Sequence, residues 1–160
     1  MEVDVGLVVN PIRHPDLVIQ KLCDDEVTFW TGPGGKRIQD LRSGEAIILC
    51  DPNLTQVQTL LKKLKKLGMD YKRIVASSSL EVISQLTVHG AGVGILPSRV
   101  AALSHPIKME RVYQAPVFLD EISIVYRIEN KNVRAIQMIN DSVRRTFKAA
   151  SMRKAEGLLN

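Results

Sequence analysis

The stretch IVASSSLEVISQLTVHGAGVGILP, residues 74–97, decides how the rest of this 160-residue chain is read. Ile74, Val75 and Ala76 form a short apolar run that breaks into Ser77, Ser78 and Ser79. Leu80, Ile83 and Leu86 then recur at helical spacing, and Gly90 stands where a helix stops. Ser78 and Glu81 stand in the S-x-x-E relation of a capping box, which predicts that Ser78 caps this helix. Gly92 to Leu96 reads as a second buried strand, closed by Pro97. A dinucleotide fingerprint has its glycines after a strand and before a helix; here they precede a strand, so no nucleotide cofactor is expected. Gly90 is explained as a helix stop, and Gly92 and Gly94 by close backbone packing.

The serine turn carries the chemistry of this stretch. A helix N-terminus offers N–H groups without intrahelical partners and a partial positive charge, and hydroxyls beside it bind a carboxylate or another anion. Two readings stand together: Ser78 caps the helix, and Ser77 or Ser79 faces a ligand.

Outward from this stretch, strands and helices alternate. Val3 to Val9 reads as a strand covered on both faces, ended by Asn10 and Pro11. Glu26 to Thr31 reads as a second extended run. Gly32, Pro33, Gly34 and Gly35 stop it, in a loop that lacks the ending of a phosphate-cradling P-loop. Ala46 to Cys50 reads as a buried strand, with Asp51 or Asn53 capping the next helix and Pro52 in its first turn. Val57, Leu60, Leu61, Leu64 and Leu67 mark that helix, lysines fill its water side, and Gly68 ends it. After Pro97 come a short helix through Ala102, an irregular stretch 107–117 with one edge strand, and a strand 122–127. A helix marked by Val133 to Phe147 and a polar tail, 151–160, complete the chain. This alternation predicts α/β architecture with largely parallel sheets.

The net charge is +5, yet the basic residues are spread over the sequence. Lys62, Lys63, Lys65 and Lys66 lie on one stretch; Arg144, Arg145, Lys148, Arg153 and Lys154 lie near the C-terminus. A module that reads DNA sequence gathers its charge on one element, so these read as solvated helix faces. Cys23 and Cys50 have no C-x-x-C partner and no histidine at ligand spacing, and read as free thiols of a reducing compartment. No metal site, membrane span or signal peptide is read, and the expected location is the cytoplasm. His14, His89 and His105 sit in loop or helix-end contexts. Ser77–Ser79 lack the G-x-S-x-G elbow, and Asp24-Asp25-Glu26 reads as a solvated turn. No catalytic residue is expected.

Residues 74–97 closely resemble the effector domain of LysR-type transcriptional regulators, which has a strand, a serine or threonine turn, a helix and a glycine-rich passage into a strand ending in proline. Residues 4–9 resemble that family's last first-lobe strand before the hinge, and residues 121–127 with the helix after them resemble the return to that lobe. The resemblance implies a periplasmic-binding-protein-like (type 2) two-lobed α/β fold with mixed, mainly parallel sheets. It divides the chain into a partial first lobe, 1–30 plus 118–150, and a second lobe, 31–117. The family's helix-turn-helix and opening strand–helix–strand unit have no counterpart here, which predicts a first-lobe sheet with an exposed edge.

The resemblance also implies a small, anionic or polar effector bound between the lobes. Its contacts map onto Ser77, Ser78 and Ser79 and onto the strand end Val9, Asn10 and Pro11. Many relatives carry threonine or serine at that strand end, where Asn10 is here the one side-chain hydrogen bonder. Thr31 and Gly32 are expected near the hinge crossover, contacting ligand through the backbone. The implied partners are the effector, further copies in a homo-oligomer (dimer or tetramer), and DNA through the absent helix-turn-helix; no membrane partner is implied. Two other readings stay open. One is a solute-binding protein of a transport system with the same fold, and the other is a redox sensor acting through Cys23 and Cys50.

Overall fold

The computed structural model describes residues 3–34, 38–103 and 107–156, with side chains through residue 148. In chain order the elements are β1 (Val5–Val9), β2 (Leu17–Thr31), α1 (Ile38–Ser43), β3 (Ile47–Cys50), α2 (Thr55–Lys66) and β4 (Arg73–Ala76). They continue with α3 (Leu80–Val88), β5 (Val93–Pro97), α4 (Ser98–Ala102), β6 (Glu110–Arg111), β7 (Phe118–Arg127), a 3₁₀ turn (Ile128–Asn132) and α5 (Arg134–Glu156). The chain forms two units, Met1–Asp24 with Asp120–Asn160, and Asp25–Leu119. Residues 25–30 and 118–119, expected in the first lobe, therefore belong to the second unit. The boundary is hidden from sequence because β2 and β7 are single strands that run through it.

The second unit is built on period-two alternation. β3 pairs parallel with β4 and β5, with Cys50 opposite Ala76 and Leu49 opposite Gly94. β2 pairs antiparallel with β5, Val27 opposite Pro97 and Trp30 opposite Gly94, and β6 adds to β2 at Trp30 and Thr31. The sheet is mixed: β3 pairs parallel with β4 and β5, and β2 pairs antiparallel with β5 and β6. Phe29, Ile48, Cys50, Val93 and Ile95 point to one face and join Leu41 of α1 and Val57, Leu60 and Leu64 of α2 in a core cluster. Leu49 and Leu96 point to the other face and meet Ile83 of α3, with Trp30, Leu86 and Val100 packed around them. Leu60 and Leu64 are fully buried. Each contributes roughly 1.5–3 kcal/mol, so the amphipathic stripe holds α2 against the sheet while its lysines stay in water.

The first unit pairs β1 antiparallel with β7, Leu7 opposite Ile124, and β7 lies next to β2. β1 stands at one end of the strand order and is not covered on both faces as expected: Leu7 is 56% and Val9 51% exposed. Residues Leu17 to Asp25, ahead of the extended run expected from Glu26, are the first part of β2. Asp24-Asp25-Glu26 is not a solvated turn but lies within this strand, its charges met by cations. Asp24 pairs with Lys21 at 2.7 Å, buried Asp25 with Arg99 at 3.5 Å, and Glu26 with Arg111 at 2.9 Å. α1 was not anticipated, and α5 continues through Glu156 where a polar tail was expected from 151. The rest of that tail, 157–160, and His105 lie outside the described residues, as does Gly35.

Candidate functional site at the carboxyl ends of the second unit's strands

β3, β4 and β5 all end on the same side of the second unit, at Cys50, Ala76 and Pro97. Open α/β sheets bind ligands outside the carboxyl ends of their strands. Three turns meet there: Asp51 to Leu54, Ser77 to Ser79, and Pro97 to Ser98. The Ser77 N–H donates to the Cys50 carbonyl at 3.1 Å, which ties the serine turn to the end of β3.

The three serines divide their roles. Ser79, not Ser78, is the N-cap of α3: its Oγ accepts from the Val82 N–H at 3.3 Å and its carbonyl from the Ile83 N–H at 3.1 Å. The S-x-x-E spacing pointed one residue too early because both Ser78 and Ser79 precede the first helical turn. Ser77 Oγ accepts from the Ser79 N–H at 3.2 Å and shapes the turn. Ser78 is exposed, and its hydroxyl makes no hydrogen bond among the described residues. The first-turn N–H groups of Leu80 and Glu81 have no intrahelical acceptor. One free hydroxyl beside two free amides at a helix N-terminus is a set of donors suited to a carboxylate.

The neighbouring turns are already internally satisfied. Neither Asp51 nor Asn53 caps α2, whose N-cap is Leu54; Asp51 Oδ1 accepts from the Asn53 N–H at 3.0 Å instead. Pro52 precedes the helix rather than opening its first turn. Ser98 Oγ donates to the Glu26 carbonyl at 3.0 Å, and Arg99 faces Asp25. Sequence reasoning missed Ser98 and Arg99; their signal was the position just after the Pro97 strand end. Cys50 is buried at the end of β3, and burial, reinforced by Asp51, pushes its thiol up to about 11. Such a thiol holds almost no nucleophilic thiolate near neutral pH.

Thr31 and Gly32 lie elsewhere. Because β2 runs antiparallel to β5, Val27 sits opposite Pro97 at the carboxyl end, and Thr31 is four residues further on. At about 3.3 Å per residue that places it roughly 13 Å from the serine side. Thr31 and Gly32 are buried and border a depression of about 420 Å³ with Ile47, Gly92 and Val93, at the amino ends of β3 and β5. Nor do they mark the crossover, which falls at Asp24–Asp25. A Cβ on Gly32 would stand 2.5 Å from the Val88 carbonyl oxygen, so this glycine serves close packing.

Val9, Asn10 and Pro11 belong to the first unit. Asn10 has a φ of 50°, and both ends of its side chain are engaged: Nδ2 donates to Asp120 Oδ1 at 2.7 Å, and Oδ1 accepts from the Glu121 N–H at 2.8 Å. Asn10 thus locks the end of β1 to β7. Burial pushes the carboxyl of Asp120 up, while the Asn10 hydrogen bond opposes that rise.

Among the described residues no three His, Cys, Asp or Glu side chains are placed to hold a metal ion. No described helix is long and apolar enough to cross a membrane.

A family model described as the LysR substrate binding domain matches residues 1–148. Among solved structures, the regulatory domain of Synechocystis PCC6803 CcmR in complex with 2-PG is similar at a TM-score of 0.68 and 16% identity, over 92% of this chain and 74% of that one. The reduced OxyR regulatory domain from Pseudomonas aeruginosa matches at 0.62 and 22%, over 89% and 72%. CbnR, a LysR family transcriptional regulator, matches at 0.58 and 22% over 89% of this chain and 52% of its own. The present chain therefore spans about half the length of CbnR. No curated protein matches it. At these identities the structural likeness shows the fold, and the family model extends over nearly the whole sequence: the chain belongs to the LysR substrate-binding domain family.

Proposed function

We propose that this chain is the effector-sensing part of a LysR-type transcriptional regulator, that it binds a small anionic metabolite, and that it performs no catalysis. The observation that carries this reading is the division of labour in the serine turn. Ser79 caps, Ser77 braces, and Ser78 is left with a free hydroxyl beside the unpartnered amides of Leu80 and Glu81. The CcmR neighbour, solved with 2-PG, supports a ligand-binding use of the fold. In the whole regulator, effector binding would shift the population of sensing-domain arrangements in a cytoplasmic homo-oligomer and reposition the DNA-binding heads. Reading of DNA sequence belongs to those heads.

A thermal-shift screen of small carboxylates tests this directly. A hit should raise the melting temperature of the wild type and lose at least tenfold in affinity in Ser78→Ala, the equivalent of about 1.4 kcal/mol. Because Ser78 is not the cap, the unliganded variant should melt where the wild type does. A hit that binds Ser78→Ala unchanged places the site elsewhere.

A further inference from the structure

The basic residues that looked scattered in sequence are partly gathered by the fold. Lys21 of β2 and Arg144, Arg145 and Lys148 of α5 line a concavity of about 580 Å³ in the first unit, with Leu22 and Asp141. A second concavity, of about 430 Å³, has Arg13 and His14 on its wall and shares Lys21. Lys21 borders both, but the smaller one is also lined by Glu121, Pro11, Leu17 and Ile19, so the basic groove is the larger concavity.

The charges in the groove are not evenly satisfied. Lys21 is held by Asp24 at 2.7 Å and lies 3.9 Å from Glu121. Arg144, Arg145 and Lys148 make no ion pair among the described residues, and Asp141 is the one carboxylate in this concavity. We infer that this groove is a second binding surface of the protein, which takes the phosphate backbone of duplex nucleic acid without reading its sequence.

Three features select that occupant. The cations are solvent-exposed, so a single small anion gains little from any one of them. A linear polyanion gains from all of them at once, through counterion release at each phosphate. The larger concavity offers only half-buried Leu22 as an apolar contact, whereas a protein partner would be anchored by buried apolar or aromatic groups. Neither concavity is lined by Phe, Tyr or Trp, the platforms on which single-stranded bases stack, which favours a duplex. The inference is independent of the serine-turn reading and stands or falls without it.

The experiment is a salt titration of the full chain against a short fluorescent duplex of scrambled sequence, followed by anisotropy. Three unpaired cations predict a slope of about −3 in log affinity against log salt, a loss on the order of fortyfold between 50 and 200 mM. The variant R144Q/R145Q should flatten the slope by about two and weaken low-salt binding at least tenfold, while R144K/R145K keeps the wild-type slope. The charge-matched variant K62Q/K66Q, on the exposed face of α2 in the other unit, should bind as the wild type does. Equal loss in K62Q/K66Q reduces the effect to net charge and overturns the proposal. So does displacement of the duplex by poly-glutamate as readily as by unlabelled duplex, which would mark an acidic-protein surface, or no binding at the lowest salt.

Discussion

The two ends of the second unit's sheet are made from similar small residues and put to opposite uses. At the carboxyl ends of β3–β5 stand Ser77, Ser78 and Ser79, with hydroxyls and amides in solvent reach and one hydroxyl uncommitted. At the amino ends stand Gly32 and Gly92, closed by backbone, and, one residue pair further in, Gly94, closed by the Thr87 side chain. A Cβ on Gly92 would stand 2.5 Å from the Ile47 carbonyl oxygen, and one on Gly94 would collide with Thr87 Oγ1. Thr87 cannot easily yield, since it is fully buried and its hydroxyl donates to the Ile83 carbonyl at 2.7 Å. Small residues at one end leave a hydroxyl and two amides uncommitted among the described residues. At the other they let a helix and a strand approach.

The largest effect is expected at the packed end. Gly94→Ala should destabilise the chain by about 3 kcal/mol through overpacking against Thr87, measured as a lower urea midpoint. Thr87→Ser should recover only part of it, because the clash is with the hydroxyl that both residues carry. A Gly94→Ala midpoint equal to wild type would mean that α3 is free to move off β5, and the contrast between the ends would dissolve.

The middle effect separates two adjacent serines. Ser79→Ala removes the cap of α3 and should cost about 1 kcal/mol of stability. Ser78→Ala should cost nothing in the unliganded protein and be felt only in binding. If the two exchange these phenotypes, the capping assignment is reversed.

The smallest effect concerns pH. Folding keeps Cys50 protonated up to about 11, against an ordinary thiol value of 9.0. The unfolded chain therefore releases this proton first, and the contribution of Cys50 to stability, intact below pH 9, declines as pH rises toward 11. A pH series of melting curves should show that alkaline decline, and Cys50→Ala should reduce it. The same burial predicts that Cys50 resists alkylation in the native state, which weighs against a redox switch at this thiol.

Much of the second unit was legible in sequence because its periods are clean. Leu60 and Leu64 repeat at helical spacing, Ile48 to Cys50 and Val93 to Leu96 are short apolar runs, and Gly68 and Gly90 adopt the positive φ of helix ends. What was lost follows from tertiary partners. The first part of β2 was missed because Asp24, Asp25 and Glu26 look like a turn until Lys21, Arg99 and Arg111 are seen beside them. The cap was misplaced by one residue because the hydroxyl that reaches Val82 depends on the turn's dihedral angles, not on spacing. Thr31 and Gly32 were expected near the crossover because sequence does not reveal that β2 runs on from Asp25 to Thr31 inside the second unit. The basic groove was invisible because Lys21 and Arg144 are brought together only by the fold of the first unit.

The central claim is that the serine turn receives an anion, and amide chemical shifts test it residue by residue. With backbone-assigned protein titrated by succinate or benzoate, whichever the thermal screen selects, the account predicts saturating shifts at Ser78, Leu80 and Glu81 and none at Thr31 to Gly34. Saturating shifts at the glycine-lined end with a silent serine turn would contradict it.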